Sequence, residues 1–359
     1  MKPDPGLASW IRLSLIDGLG PATFRKLLSA FGLPDHILGA SHASLCRAVP
    51  TEMARRILDE DRDAQVAAAL EWAAHETNTI ITLADETYPR LLLEIADPPP
   101  LLYLRGRLAL LETHGLAIVG SRNATPQGLA NAESFARAFS DAGLTIVSGL
   151  ALGIDAAAHR GGLAGRGSTL AVLGTGADAL YPATNRALGE DIAARGLLVS
   201  EFPLGTPPNA GNFPRRNRLI SGLARGCLVI EAAVSSGSLI TARQAAEQGR
   251  EVFAVPGSIH SPLARGCHLL IKQGAKLVEC AADVLEELGA ALPARATSAP
   301  KVSGQQGSLL LHMGYDACSM DTLVVRSRLT AEAVSAMLLE LELEGKIASL
   351  PGGRYQRLS

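Results

Sequence analysis

From residue 116 onward, short aliphatic runs alternate with stretches whose apolar positions recur at helical spacing. The runs are LAIVG (116–120), LTIVS (144–148), TLAVL (169–173), LLVS (197–200), CLVIEA (227–232), EVFAVP (251–256) and KLVE (276–279). Helical stretches at 127–142, 153–164, 185–195 and 239–249 lie between most of them. A run that is apolar on both sides of the pleat predicts a strand covered by helices on both faces. The alternation therefore predicts an α/β protein with an extended, Rossmann-like, doubly wound and mostly parallel sheet. In such sheets ligands sit at the carboxyl ends of the strands.

The flanks differ. Residues 9–75 read as short helices, broken at Asp17-Gly18-Leu19-Gly20-Pro21. That turn resembles a helix-hairpin-helix, whose amides can hold a DNA phosphate, but one such turn is a weak signal and an ordinary small helical bundle with Pro21 at a helix start is the plainer reading. Residues 80–104 are interrupted by Pro89 and by Pro98-Pro99-Pro100, and read as a short strand and a loop. Residues 289–306 hold no acid and are rich in Ala, Pro, Ser and Gly, as a linker is. Beyond them, Ser319 and Thr330 are N-cap candidates for two helices, the second ending at Gly345. A hairpin follows through Pro351-Gly352-Gly353. Helix, turn, helix and hairpin make a winged-helix layout, a fold that binds either DNA or protein. Glu332, Glu340, Glu342 and Glu344 favour protein here. The expected organisation is thus a helical segment at 1–79, a Rossmann-like domain at 80–288, a linker at 289–306 and a winged helix at 307–359.

Charge and composition narrow the chemistry. The net charge is −2, and the segments 1–79, 80–288 and 307–359 each hold slightly more acids than bases. Any anion site must therefore be a local constellation. Five scattered cysteines without a CxxC pair fit buried thiols in a reducing compartment. The sequence shows neither an export signal nor an apolar run of about 18 residues, so a cytoplasmic protein without a membrane span is expected.

Small residues cluster at the strand ends. Gly120, Ser121 and Arg122 follow the first run, Ser148, Gly149 and Gly153 the second, and Ser235, Ser236, Gly237 and Ser238 the fifth, where a helix opens. Glycine lets backbone N–H groups approach a ligand, and helix N-termini favour anions. Such cradles suggest bound phosphates. A Walker A loop is absent, and Gly120 does not open the dinucleotide fingerprint. No nucleotide cofactor is expected.

Between Phe202 and Ile230 the chain has no acid but four arginines, Arg215, Arg216, Arg218 and Arg225. A guanidinium offers fork-shaped donors to phosphate oxygens. Phe213, beside that cluster, is either a platform for an unpaired base or a core residue. Cradle, arginines and aromatic together describe a single-strand site. Catalysis is poorly supplied. Asp155 and His159 share a helix face, but no third metal ligand stands at a known spacing, so capping and packing are expected of them. Glu201 and Glu231 are expected to pair with Arg122, Arg216 or Arg218. Neither a catalytic residue nor a metal is assigned.

The stretches VGSRNATPQG, SGLALGIDAAAH, FPRRNRLISGL, SSGSLITARQAAEQGREVFAVPG and GCHLLIKQGA, in this order over about residues 80–288, resemble the DNA-processing protein A family, also called DprA or Smf. The resemblance implies an extended Rossmann fold and homodimers formed through that domain. It implies binding and protection of single-stranded DNA in natural transformation, and loading of the recombinase RecA, with no enzymatic activity. Its site residues would be Gly120, Ser121 and Arg122, then Phe213, Arg216, Asn217 and Arg218, then Ser236, Gly237 and Ser238. Some relatives carry a lysine where this chain has Ala210; Arg215 is the candidate replacement. The alternative is a nucleotide-binding Rossmann enzyme of the phosphoribohydrolase type. Its Pro-Gly-Gly-x-Gly-Thr signature is replaced here by Ser-Ser-Gly-Ser-Leu-Ile-Thr, with Glu247 the nearby acid.

Overall fold

The computed structural model describes residues 5–290 and 305–358; most of the expected linker lies outside the described residues. Six helices come first: α1 (Pro5–Ser14), α2 (Pro21–Phe31), α3 (Pro34–Leu38), α4 (His42–Leu45), α5 (Thr51–Asp59) and α6 (Asp63–Ala73). Pro21 starts α2, where its missing N–H has no intrahelical partner to lose. The core of these helices, built on Trp10, Ile11, Leu13, Phe24 and Leu27, does not close on itself. Ile80, Leu101 and Tyr103 from the next two strands complete it, and Trp72 meets Tyr103 edge-on at 5.9 Å.

Those strands are β1 (Asn78–Thr82) and β2 (Leu101–Gly106), with the one-turn helix α7 (Arg90–Leu93) between them. Where the sequence suggests one strand and a loop, two strands pair antiparallel, from Asn78 opposite Arg105 to Thr82 opposite Leu101. The three prolines fall just before β2, where they remove no ladder hydrogen bond.

The alternating region follows as β3 (Gly115–Gly120), α8 (Pro126–Asp141), β4 (Thr145–Ser148), α9 (Ile154–Ala164), β5 (Thr169–Val172), α10 (Arg186–Arg195), β6 (Leu197–Ser200), α11 (Asn212–Gly222), β7 (Gly226–Ile230), α12 (Ser238–Glu247), β8 (Glu251–Ala254), α13 (Arg265–Lys272), β9 (Lys276–Leu277) and α14 (Ala281–Glu287). All the expected runs form strands. The sheet order is β1-β2-β6-β5-β4-β3-β7-β8-β9. It is parallel from β6 to β9, and β2 joins β6 antiparallel.

Burial on both faces explains the aliphatic runs. Along β3, Leu116 and Ile118 pack with Ala136 and Phe139 of α8, whereas Ala117 and Val119 pack with Leu219 of α11 and Ala242 of α12. The chain winds from β3 through β4, β5 and β6 on one side, then returns to β7 on the other. The β3/β7 boundary is thus the switch point at which such sheets open a crevice.

The last segment comprises α15 (Gln305–Met313), β10 (Cys318–Ser319), α16 (Met320–Ser327), α17 (Ala331–Leu343), β11 (Ile347–Leu350) and β12 (Arg354–Arg357). Ser319 and Thr330 cap α16 and α17, accepting from the amides of Thr322 and Ala333 at 3.2 and 3.3 Å. Leu323, Val334, Leu338, Leu341 and Ile347 form its core, and the result is a winged helix. The outward face of α17 carries Glu332, Ser335, Ala336, Leu339, Glu340 and Leu343. Among the described residues no helix is long and apolar enough to cross a membrane.

Candidate nucleic-acid interface

At the β3/β7 switch point a cleft of about 780 Å³ opens. Its walls are the loop after β3, the turn into α12, one face of α11 and the loop that ends at Tyr181.

Arg122 stands exposed at the tip of the loop after β3, and no carboxylate pairs with it among the described residues. Its guanidinium carbon lies 5.8 Å from the centroid of the half-buried Phe213 ring. The loop itself is tied down by hydrogen bonds. Ser121 donates its amide to the Glu231 carbonyl at 2.7 Å, and its hydroxyl accepts from the Asn123 amide at 3.1 Å. Gly120 is required by packing, because a Cβ there would collide with the Ile230 carbonyl.

Residues 212–222, which the sequence presents as an arginine motif, are a helix, and helical geometry divides the motif. Phe213, Arg216, Asn217 and Ile220 share the face that lines the cleft. Arg215 and Arg218 lie on another face. Arg218 is buried against Glu201 and also reaches Asp97, with Nε 3.1 Å from Oδ2. Arg215 is half-exposed, its Nε 3.3 Å from Glu201 Oε1 and its guanidinium 5.3 Å from the Phe202 ring centroid. The expected pairing of Glu201 with an arginine is thus met at Arg218; Arg215, expected as a replacement phosphate contact, is engaged by the same carboxylate. Burial raises the pKa of Glu201, and the two arginines act against that shift.

Arg216 faces the cleft but is only 4% exposed. Its Nη1 donates to the Gly149 carbonyl at 2.7 Å and to the Val172 carbonyl. Gly149 is glycine for this reason, since a Cβ would stand 2.6 Å from the guanidinium. Burial pushes the Arg216 pKa down to about 10, which leaves it charged at neutral pH. It is a fixed positive charge beneath the cleft floor, where low dielectric strengthens its field, rather than an open fork. Asn217 accepts from its Nε at 3.3 Å.

Asp155 and His159 pack as expected, but neither caps α9, whose N-cap Gly153 has no side-chain partner; they hold the turn on which Arg216 rests. Asp155 Oδ2 accepts from the amides of Gly149 and Ala151 at 3.1 and 3.4 Å. His159 Nε2 accepts from the Leu150 amide at 3.2 Å, and Nδ1 lies 2.7 Å from the Thr169 hydroxyl. Thr169 donates to the Ile146 carbonyl, so the imidazole is neutral with its proton on Nδ1. Burial, helped by Arg216, pushes the His159 pKa down to about 3. Between these groups Leu150 is held at φ 56°, a conformation that L-residues adopt only under constraint. Ser148 is fully buried, its hydroxyl donating to the Ile118 carbonyl at 2.7 Å. As a ligand contact it is corrected: it is a strap between β4 and β3.

On the opposite wall, the hydroxyls of Ser236 and Ser238 are 2.7 Å apart, and the Ser238 amide donates to Ser236. The amides of Leu239 and Ile240 are satisfied by Ser236 and Gly237 carbonyls. The open amide cradle is therefore narrower than the glycines suggest. Gly237 has open space where a Cβ would stand, and the Ser236 and Ser238 hydroxyls flank it. Glu231 was expected on an arginine; it accepts instead from the Thr125 amide and hydroxyl at 2.8 and 2.5 Å. Among the described lining residues Asp155 is the one carboxylate, and backbone amides occupy it.

Sequence reasoning missed Tyr181. Its ring lies 5.7 Å from that of Phe213, tilted by 33°. The two are 32 positions apart in sequence, and nothing in LGTGADALYP shows that the loop folds back over α11.

A family model described as DNA recombination-mediator protein A matches residues 79–289, and one described as DprA winged helix domain matches residues 293–353. The chain is 37% identical to a Protein Smf of Synechocystis over 98% of each chain. It is 42% identical to Protein Smf of Escherichia coli over 85% of this chain and 84% of that one. The X-ray structure of DNA processing protein A from Streptococcus pneumoniae superposes with a TM-score of 0.70 at 38% identity, over 80% of this chain and 99% of that one. DNA processing protein A from Helicobacter pylori, whose structure gives the mode in which that protein binds single-stranded DNA, superposes with a TM-score of 0.53 at 31% identity, over 58% and 95%.

Proposed function

The chain belongs to the DNA recombination-mediator protein A family, and from that premise we propose that it binds single-stranded DNA in the cleft at the β3/β7 switch point. The observation that carries the reading is the unpaired Arg122 guanidinium over the Phe213 ring, with the charge of Arg216 below both. A phosphate takes the exposed fork and an unpaired base takes the aromatic face. The bases of a duplex are stacked inside the helix, so the same surface discriminates against it. The Ser236, Gly237 and Ser238 turn receives the neighbouring phosphate at the start of α12.

In this reading residues 80–288 hold the strand and form the homodimer. Two such clefts on one strand gain by effective concentration. The bound strand is protected in the cytoplasm during transformation or recombination and passed to RecA. The winged helix at 307–359 takes a protein partner, because the outward face of α17 is acidic and apolar where a DNA-reading helix is basic. The protein acts by binding, not turnover; a site whose single lining carboxylate is held by amides supports that.

The test is fluorescence anisotropy of labelled single- and double-stranded oligonucleotides, wild type beside Arg122→Ala, at two salt concentrations. Preference for the single strand, weakened by the substitution, supports the reading. A wild type that binds neither overturns it.

A further inference from the structure

Tyr181 has no role in the reading above, yet it is the most exposed aromatic at the cleft, at 46%. Its hydroxyl has no hydrogen-bond partner among the described residues. The loop that carries it is pinned. Ala177 is fully buried against the N-terminal helical core, and Thr175 Oγ1 donates to the Ala179 carbonyl. Just beyond, Asn185 Nδ2 donates to the carbonyls of Leu150 and Ala151 at 3.0 and 3.1 Å. An exposed ring on a fixed loop is presented rather than merely left over. It loses little conformational entropy when a flat partner lies on it.

The ring also has a defined relation to Phe213. With centroids 5.7 Å apart, the two rings touch, and no base fits between them, since that needs roughly twice the ~3.4 Å spacing of stacked bases. Phe213 is hemmed in on its other sides. Gly174 lies so close that a Cβ there would be 2.7 Å from Cδ1, and Arg122 is placed over the ring. Phe213 alone offers one restricted face. Tyr181 adjoins that ring and is the more exposed of the two.

We propose that Tyr181 is a second base platform, so that the cleft grips two consecutive nucleotides, one base on Phe213 and the next on Tyr181. The inference rests on the single-strand reading and extends its footprint. Stacking tolerates every base, so the added nucleotide brings affinity without sequence preference. The free hydroxyl serves the base edge or a phosphate.

The experiment uses the full chain and a labelled oligothymidylate. Tyr181→Ala weakens binding by about 5- to 150-fold, the range that corresponds to one stacked base, while Tyr181→Phe stays near wild type. Tyr181→Trp supplies a readout that a structural role would not move: its emission is quenched on saturation, after subtraction of the wild-type signal from Trp10 and Trp72. Wild-type affinity in Tyr181→Ala, or unquenched Tyr181→Trp at saturating DNA, overturns the second platform and leaves the cleft intact. A wild type that ignores the oligothymidylate overturns the single-strand reading itself.

Discussion

Arg218 and Glu201 form an ion pair with both side chains withdrawn from water, 7% and 1% exposed. Removing one charge strands the other in a site that cannot solvate it, and such losses cost about 3–5 kcal/mol. Arg218→Met is expected to lower the unfolding free energy by that order in urea denaturation, and adding Glu201→Leu to recover most of it. An unchanged midpoint together with weakened DNA binding would make Arg218 a strand contact after all.

Arg216→Ala is expected to injure the fold before it injures binding. It empties a site beneath the turn after β4 and leaves the carbonyls of Gly149 and Val172 unsatisfied, at about 1–3 kcal/mol each. The urea midpoint falls, and DNA affinity measured well below that midpoint falls as well, because the charge under the cleft is gone. Full stability in Arg216→Ala would contradict the buried geometry.

Arg122→Ala should behave in the opposite way. The side chain is exposed and carries no acid, so stability stays within about 0.5 kcal/mol of wild type. The plot of log affinity against log salt flattens by roughly 0.7, the signature of one phosphate contact on a single strand. An unaltered slope would remove Arg122 from the interface.

His159 makes stability depend on pH. Its folded-state pKa is about 3, below the unfolded value of roughly 6.5, so the unfolded chain takes up the proton first. The contribution is complete above about pH 6.5 and is lost as pH falls toward 3, at up to about 1.4 kcal/mol per pH unit. Asp155, whose pKa burial raises, works in the opposite sense. Urea midpoints at pH 7 and pH 5 should differ for wild type and differ less for His159→Gln. Equal pH dependence in the two proteins would show that His159 is not the titrating group.

The sheet was legible because its strands are buried on both faces, which writes itself into the chain as aliphatic runs such as LAIVG and TLAVL. The caps at Ser319 and Thr330 were legible because capping is local. What the sequence hid were partners distant along the chain. The pairing of Glu201 with Arg218 was legible, because Glu201 follows the LLVS run at a strand end; that it also takes Arg215 was not, since the helical phase of residues 212–222 decides which arginines turn toward it. Ser148 looked like part of a ligand turn because its hydroxyl partner, the Ile118 carbonyl, lies on the neighbouring strand. Gly120 and Gly149 looked like places for a ligand to approach, whereas the Ile230 carbonyl and the Arg216 guanidinium already fill that space. Tyr181 was invisible for the converse reason: only the folded loop brings it to Phe213.

Tyr103 lies in β2 yet belongs to the core of the N-terminal helices, packed against Trp72. The boundary near residue 79 that looks natural along the chain therefore passes through a shared interior. Shortening the protein there would strip one side of a strand pair and leave Ile80, Leu101 and Tyr103 facing water. The helices are less a detachable head than the lining of the sheet's outer border. An inherited loss of that segment would have to be matched by recolouring those three positions from oily to polar.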